Sequence, residues 1–428
     1  MPKLAIHGGP KTVPDGTFKP WPPIDDVDRQ YVLESLESPQ HTYGPNCRAL
    51  EQEFAAWNGN KFAITTNSGT AALHMAVAAV GCGAGDHVLV TAYSWSSSAT
   101  CILHHNAIPV FVDIDWDTMN MDPRKIESAI TPKTKAIVVV HLHGLAVDMD
   151  AVMDIARRRD LKVIEDACQS HGALFKGKKV GTFGHCAAFS LNQNKCLCGG
   201  EGGIFVTDDP DLHRQAMQIW SFGETRSPSE NRDYHAYALG WMYRNDDLGA
   251  AFARAQLTKL DGYLKIQRRN TETFLGALRG VKGLILPTEP KGHVHNWYNV
   301  VLRFDPDALG VKTDVPAFRD RLVQAIQAEG APVMMWQKFI LPAMTVFQAK
   351  NAYGHGCPWS LPYTDPVDYN PANFPVAQRH TDTHLCFGSP MRAPNTPDAA
   401  RALAAAVRKV FEHVDELDPQ PQTKVKAS

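Results

Sequence analysis

Ala136-Ile137-Val138-Val139-Val140-His141, then a helical stretch, then Val163-Ile164-Glu165-Asp166: the reading of this portion decides the fold. Both runs are short, unbroken and rich in β-branched residues. A strand with one wet face alternates apolar and polar side chains, whereas a strand covered on both faces does not. The same pattern extends outward in both directions. Phe62–Thr66, Val88–Thr91 and Val110–Ile114 precede it, and Ala187–Ser190 and Ile204–Thr207 follow, most bounded by Gly, Pro or Asp. Such runs, separated by helical stretches, predict a doubly wound α/β domain with a mainly parallel sheet.

Residues 1–24 hold Pro2, Pro10, Pro14, Pro20, Pro22 and Pro23 with Gly8, Gly9 and Gly16, and read as an extended arm draped over the folded body. Two helices follow, one with Ile24, Val27 and Tyr31 on one face, the other with Leu50, Phe54 and Trp57 and a stop at Gly59. A long helical region is predicted over 246–280. The large domain is assigned to 25–265. Beyond it Asn299–Phe304 reads as a strand and 316–329 as a helix. A last helix starts at Thr396 and buries Leu403, Val407 and Phe411. Residues 266–415 therefore predict a smaller α+β domain, and the polar tail 416–428 is predicted to be disordered.

The chain has 428 residues, with 43 Lys plus Arg against 45 Asp plus Glu. This balance excludes a strongly basic nucleic-acid or anionic-membrane surface as the main business. No apolar stretch reaches the ~18 residues that span a bilayer. The N-terminus lacks an apolar signal core, and the nine cysteines, several inside apolar runs, read as reduced thiols. A cytoplasmic protein is expected.

Ligands of such sheets bind at the carboxyl ends of the strands, where helix N-termini face the crevice. Four segments fall there. In Thr65–Leu73, Gly69 lets the backbone approach an anion and the Thr70 hydroxyl can hold a phosphate; a plain helix cap is the alternative. In Ala92–Ser98, Trp95 can stack on a planar ring or serve as core. Asp166 ends an apolar strand, so its carboxylate needs a cation, such as a protonated pyridine nitrogen, or the donors of a turn. Lys195 lies between a strand and the Gly-rich turn Gly199–Gly203. In an apolar cleft its amine can form a Schiff base, with Ser190 adding a phosphate contact; a surface lysine is the alternative. Cys196 and Cys198 are too few and badly spaced for zinc, and no metal site is predicted.

Phosphate turn, stacking aromatic, strand-end Asp and lysine occur in the order found in fold-type I pyridoxal-phosphate enzymes. The chain resembles the DegT/StrS-type sugar aminotransferase family, in Asn67–Leu73, Glu165–Gly172, Phe189-Ser190 to Lys195 and Gly200–Gly203. The resemblance runs from about residue 3 to 413. Leu4–Gly9 with Trp21-Pro22-Pro23 is most similar to the branch acting on keto-inositols in aminoglycoside antibiotic biosynthesis. The resemblance implies pyridoxal 5′-phosphate bound to Lys195, with Asp166 at the pyridine nitrogen and Trp95 stacked on the ring. It places Gln169 near the phenolic oxygen and Gly69, Thr70 and Ser190 at the phosphate. It also implies a homodimer with sites at the interface, a ketosugar or ketocyclitol substrate, and glutamate or glutamine as donor. Trp95, His143, Trp297, Tyr298 and Trp336 are candidates to line the substrate pocket.

One segment departs from the family. Its usual Gly-aromatic-Asn-aromatic-Arg, whose Asn reaches the neighbouring subunit's phosphate, reads Gly240-Trp241-Met242-Tyr243-Arg244-Asn245 here. Met242 cannot replace that donor, so the contact falls to Arg244 or Asn245 or is absent. Three rivals compete. The family's pyridoxamine-phosphate dehydratase branch carries His in place of the lysine, against Lys195. A nicotinamide-dependent sugar oxidoreductase needs its glycine fingerprint after a strand, yet Gly81-Cys82-Gly83-Ala84-Gly85 precedes one. A non-catalytic sensor is opposed by the joint retention of Lys195, Asp166 and Gln169.

Overall fold

The computed structural model describes residues 3–225 and 234–417. Seven strands form one sheet: β1 (Phe62–Thr66), β2 (His87–Thr91), β3 (Ile108–Val112), β4 (Thr134–Val140), β5 (Lys162–Asp166), β6 (Cys186–Ser190) and β7 (Gly203–Thr207). Their order is β1-β7-β6-β5-β4-β2-β3. Neighbours are parallel except around β7, which is antiparallel to both β1 and β6. Each predicted run is a strand of this sheet. Burial explains why these segments are strands: alternate residues feed two separate cores. Val88, Val90, Val138, Ile164 and Ala188 go to one face, and Leu89, Ile137, Val139, Val163 and Ala187 to the other.

The helical region over 246–280 is two helices, Asp247–Leu257 and Leu260–Leu278. Thr258 turns the chain, its hydroxyl donating to the Ala255 carbonyl at 2.6 Å, and Lys259 reaches back to Asp28 at 2.6 Å and Asp25 at 3.0 Å. The helix Asp26–Glu37 differs from the apolar-face expectation. Ile24 and Val27 are exposed, and the residues turned inward are Asp28 and Ser35. Asp28 accepts from Gln256 Nε2 at 2.7 Å, and Ser35 donates to Asp247 at 2.7 Å. Buried polar pairs, not an apolar stripe, dock this helix.

A second, antiparallel sheet places β8 (Val300–Phe304) between Leu284–Ile285 and β9 (His384–Phe387). Its core includes Phe274, Leu302, Phe318, Leu403 and Val407. The N-terminal arm is pinned here. Leu4 and Val13 are buried in that core, and Glu329 accepts from Ala5 N at 2.8 Å and Thr12 N at 3.0 Å while pairing with Lys409 at 2.9 Å. Of the predicted disordered tail, Leu417 is buried, and residues from 418 on lie outside the described residues. No helix among the described residues is long and apolar enough to cross a membrane. All nine cysteines are free thiols, and all but Cys357 are buried.

Candidate active site

Asp166 closes β5 and is 4% exposed. Its Oδ2 accepts a 2.6 Å hydrogen bond from Ser98 Oγ, which lies 2.7 Å from Ser94 Oγ, and its Oδ1 accepts from Cys168 N at 3.2 Å. No cation among the described residues pairs with this carboxylate. Ser98 sits in the helix Ser97–Leu103 that follows β2, so the contact reaches across β4. In the enzyme that the sequence resemblance implies, Ser98→Ala is expected to lower turnover about tenfold with little change in melting, because it removes one charge-assisted bond that aims the carboxylate. Steady-state rates and a thermal scan check this.

Glu165 points to the opposite face, as strand alternation requires. It bonds His141 Nε2 at 2.8 Å and accepts from the N–H groups of Gly181 (2.7 Å), Phe183 (2.8 Å) and Gly184 (2.6 Å). Burial alone would push its carboxyl up; the His141 contact and the backbone donors outweigh that and hold it below the usual carboxylate range. A depressed folded value means that the stabilisation is full above the unfolded carboxyl's range and is lost as pH falls through the folded one. Glu165→Gln is expected to cost about 3 kcal/mol at pH 7 and less in acid, read from urea midpoints at both pH values.

The turn after β1 meets the end of β6. A Cβ on Gly69 would come within 2.9 Å of Ser190 Cβ and 3.0 Å of Cys168 Sγ. Ser68 caps the helix Gly69–Ala79 by accepting from Ala71 N at 3.1 Å, which leaves the Gly69 and Thr70 N–H groups without helical acceptors. The Gly69 turn, the end of β6 at Ser190 and Asp166 thus meet at Cys168.

Lys195 is half-buried after β6. Its backbone carbonyl accepts from Trp21 Nε1 of the arm at 3.1 Å, and its Nζ lies 3.5 Å from the Tyr298 hydroxyl and 4.8 Å from that ring's centroid. Burial pushes the Cys168 thiol up; the Asp166 carboxylate adds to this and the Lys195 ammonium opposes it. His143 N donates to Gln169 Oε1 at 2.9 Å, which fixes the orientation of the Gln169 amide. Burial, then His384 and Lys195, push the His143 imidazole down to about 3, so it is neutral at pH 7.

The remaining expected residues are placed as follows. Trp95 is 55% exposed, 6.4 Å from the Trp336 ring, which meets His143 edge-on at 4.7 Å. Trp297 does not line this space: it stacks on His295 at 3.8 Å and belongs to the core of the second sheet. Asn245 is buried in its own chain, its Nδ2 without a partner and 3.2 Å from a Cβ position on Gly202. Met242 is the exposed member of that segment. Arg244 packs with its Cζ 5.5 Å from the Phe222 ring. Ser98 and Trp21 were not foreseen. The serine run after β2 and the Trp-Pro-Pro of the arm were the available signals, but neither names its distant partner.

A family model described as the DegT/DnrJ/EryC1/StrS aminotransferase family matches residues 22–358. A Streptoalloteichus tenebrarius protein, named as a candidate L-glutamine:3-amino-2,3-dideoxy-scyllo-inosose aminotransferase, is 35% identical over 339 residues, 77% of this chain and 78% of that protein. The GDP-perosamine synthase of Caulobacter vibrioides is 41% identical over 249 residues, 58% of this chain and 66% of its own. The X-ray structure of the aminotransferase from Psychrobacter cryohalolentis superposes with a TM-score of 0.81 at 30% identity, over 93% of this chain and 100% of that one. Family match, relatives and solved fold agree on an enzyme: this chain belongs to the pyridoxal-phosphate-dependent DegT/DnrJ/EryC1/StrS aminotransferase family.

Proposed function

We propose that this aminotransferase moves an amino group from glutamate or glutamine to the carbonyl of a ketosugar or ketocyclitol, in the cytoplasm and as a homodimer. The observation that carries the reading is the buried Asp166 carboxylate, with no cation partner among the described residues, beside the close approach of Gly69, Ser190 and Cys168. These residues fit pyridoxal phosphate. The cradle offers two helix-start N–H groups without helical acceptors and a hydroxyl suited to a phosphate, and Asp166 is a buried carboxylate with no cation partner among the described residues, suited to a protonated ring nitrogen. The bound cofactor supplies an aldehyde and an electron-accepting ring.

The chain's own residues supply the rest. Asp166 holds the ring nitrogen protonated, and Ser98 aims it. The Lys195 amine takes and returns the proton of the reacting carbon. Gln169 presents its amide nitrogen, Trp95 offers a ring face, and Gly69, Thr70 and Ser190 grip the phosphate. His143, Tyr298 and Trp336 make a wall of rings and neutral donors suited to a polyol. The scyllo-inosose and glutamine in the first relative's name support a cyclitol acceptor and a glutamine donor. The test is to load the holoprotein with L-glutamine or L-glutamate and then add a keto-inositol or a nucleotide-linked ketosugar. An aminated product with one acceptor class, matched by the donor's 2-oxo acid, is expected. No amine product with either class would overturn the reading.

A further inference from the structure

Lys195 sits in the loop between β6 and β7, where no sheet ladder holds its peptide. Its N–H donates locally, to the Asn192 carbonyl at 2.8 Å. Its carbonyl accepts from Trp21 Nε1 at 3.1 Å, a bond between residues 174 positions apart. The peptide that carries the lysine is therefore held on one side by its own turn and on the other by the N-terminal arm.

The arm does not need that bond in order to dock. Leu4 and Val13 are buried in the second sheet's core, and Glu329 accepts from Ala5 N and Thr12 N. Two residues before Trp21, Lys19 N donates to Asn395 Oδ1 at 2.8 Å; two residues after it, the Pro23 carbonyl accepts from Gln256 Nε2 at 3.5 Å. The indole meets the Tyr263 ring edge-on at 5.2 Å, and Arg392 Cζ lies 5.5 Å from it. Against these contacts one neutral hydrogen bond of about 1 kcal/mol adds little to docking. Its consequence falls on the lysine. A four-carbon stem rotates freely, so the place its amine can reach is set by where its peptide is held.

We propose that Trp21 is a positioning residue for the amino transfer: its indole N–H fixes the Lys195 peptide and so places the reacting amine. This rests on the reading of Lys195 as the amine that carries the cofactor and moves the proton. Two replacements test it. Trp21→Phe removes the donor and part of the ring, and site-specific benzothienylalanine at residue 21 exchanges the N–H for sulfur while keeping the two-ring shape. Each holoprotein is compared with the unsubstituted one in turnover, KM for the amino donor, pH titration of the cofactor's visible absorbance, and melting.

Both replacements are expected to lower turnover about tenfold with KM within about twofold. The midpoint of the absorbance titration is expected to move by about half a pH unit or more, because the amine sits differently against its neighbours, with melting unchanged. An unmoved titration would overturn the assignment; a lower melting temperature beside it would give the indole to arm docking alone. If Trp21→Phe does not fold, the benzothienyl protein decides on the same readouts. Failure of the underlying reading looks different: borohydride reduction of the unsubstituted holoprotein would leave Lys195 unlabelled, and the positioning role would fall with it.

Discussion

Replacing Lys195 by alanine is expected to lower turnover by about 10⁴-fold while leaving the fold intact. Among the described residues the side chain makes one polar contact, 3.5 Å from the Tyr298 hydroxyl, so its removal strands no tightly bonded partner there. The bond from Trp21 goes to the backbone carbonyl of Lys195 and survives the substitution. What is lost, on the proposed function, is the amine that takes and returns the substrate's proton. Turnover, melting temperature and partial recovery of rate in methylamine buffer together check the prediction. A variant that keeps more than about a tenth of the rate would remove Lys195 from the chemistry.

The second large effect is expected at Asp166→Asn, about 10³-fold in turnover. The amide matches the carboxylate in shape, and its oxygen can still accept from Ser98. The negative charge disappears, and with it the reason for a pyridine nitrogen to stay protonated in a buried site. Comparison with Ser98→Ala separates charge from aim: the hydroxyl variant should fall about tenfold and the charge variant about a hundred times further. Equal losses in the two would assign Asp166 a positioning role only. Turnover of both proteins, with cofactor content measured alongside, checks the pair.

Much of this fold was legible because the sheet is covered on both faces. Val88–Thr91 and Ala136–His141 read as strands since neither face had to be polar, and both are strands. The candidate site residues were singled out for a related reason: Asp166 ends a strand, Gly69, Trp95 and Lys195 each follow one in sequence, and parallel topology sets those ends on one side of the sheet. What escaped is contact between segments with no local signature. Ser98 reaches Asp166 because β4 separates β2 from β5, an order that composition does not reveal. Trp21 reaches Lys195 because the arm is pinned at Glu329 and then crosses the body.

Periodicity also misled in two places. The apolar positions Ile24 and Val27 suggested a buried stripe, yet Asp28 and Ser35 dock that helix through charge and hydrogen bonds. Aromatic character near the second sheet suggested a pocket wall at Trp297, yet its stacking on His295 belongs to the core. Apolar and aromatic side chains carry no mark that separates a core from a binding wall.

Borohydride reduction of the holoprotein, followed by proteolysis and mass mapping, examines the lysine assignment at the level of a single peptide. A pyridoxyl adduct on the peptide containing Lys195, near one per chain and absent from Lys195→Ala, is the predicted result. An adduct on a different lysine, or equal labelling of Lys195→Ala, would contradict it.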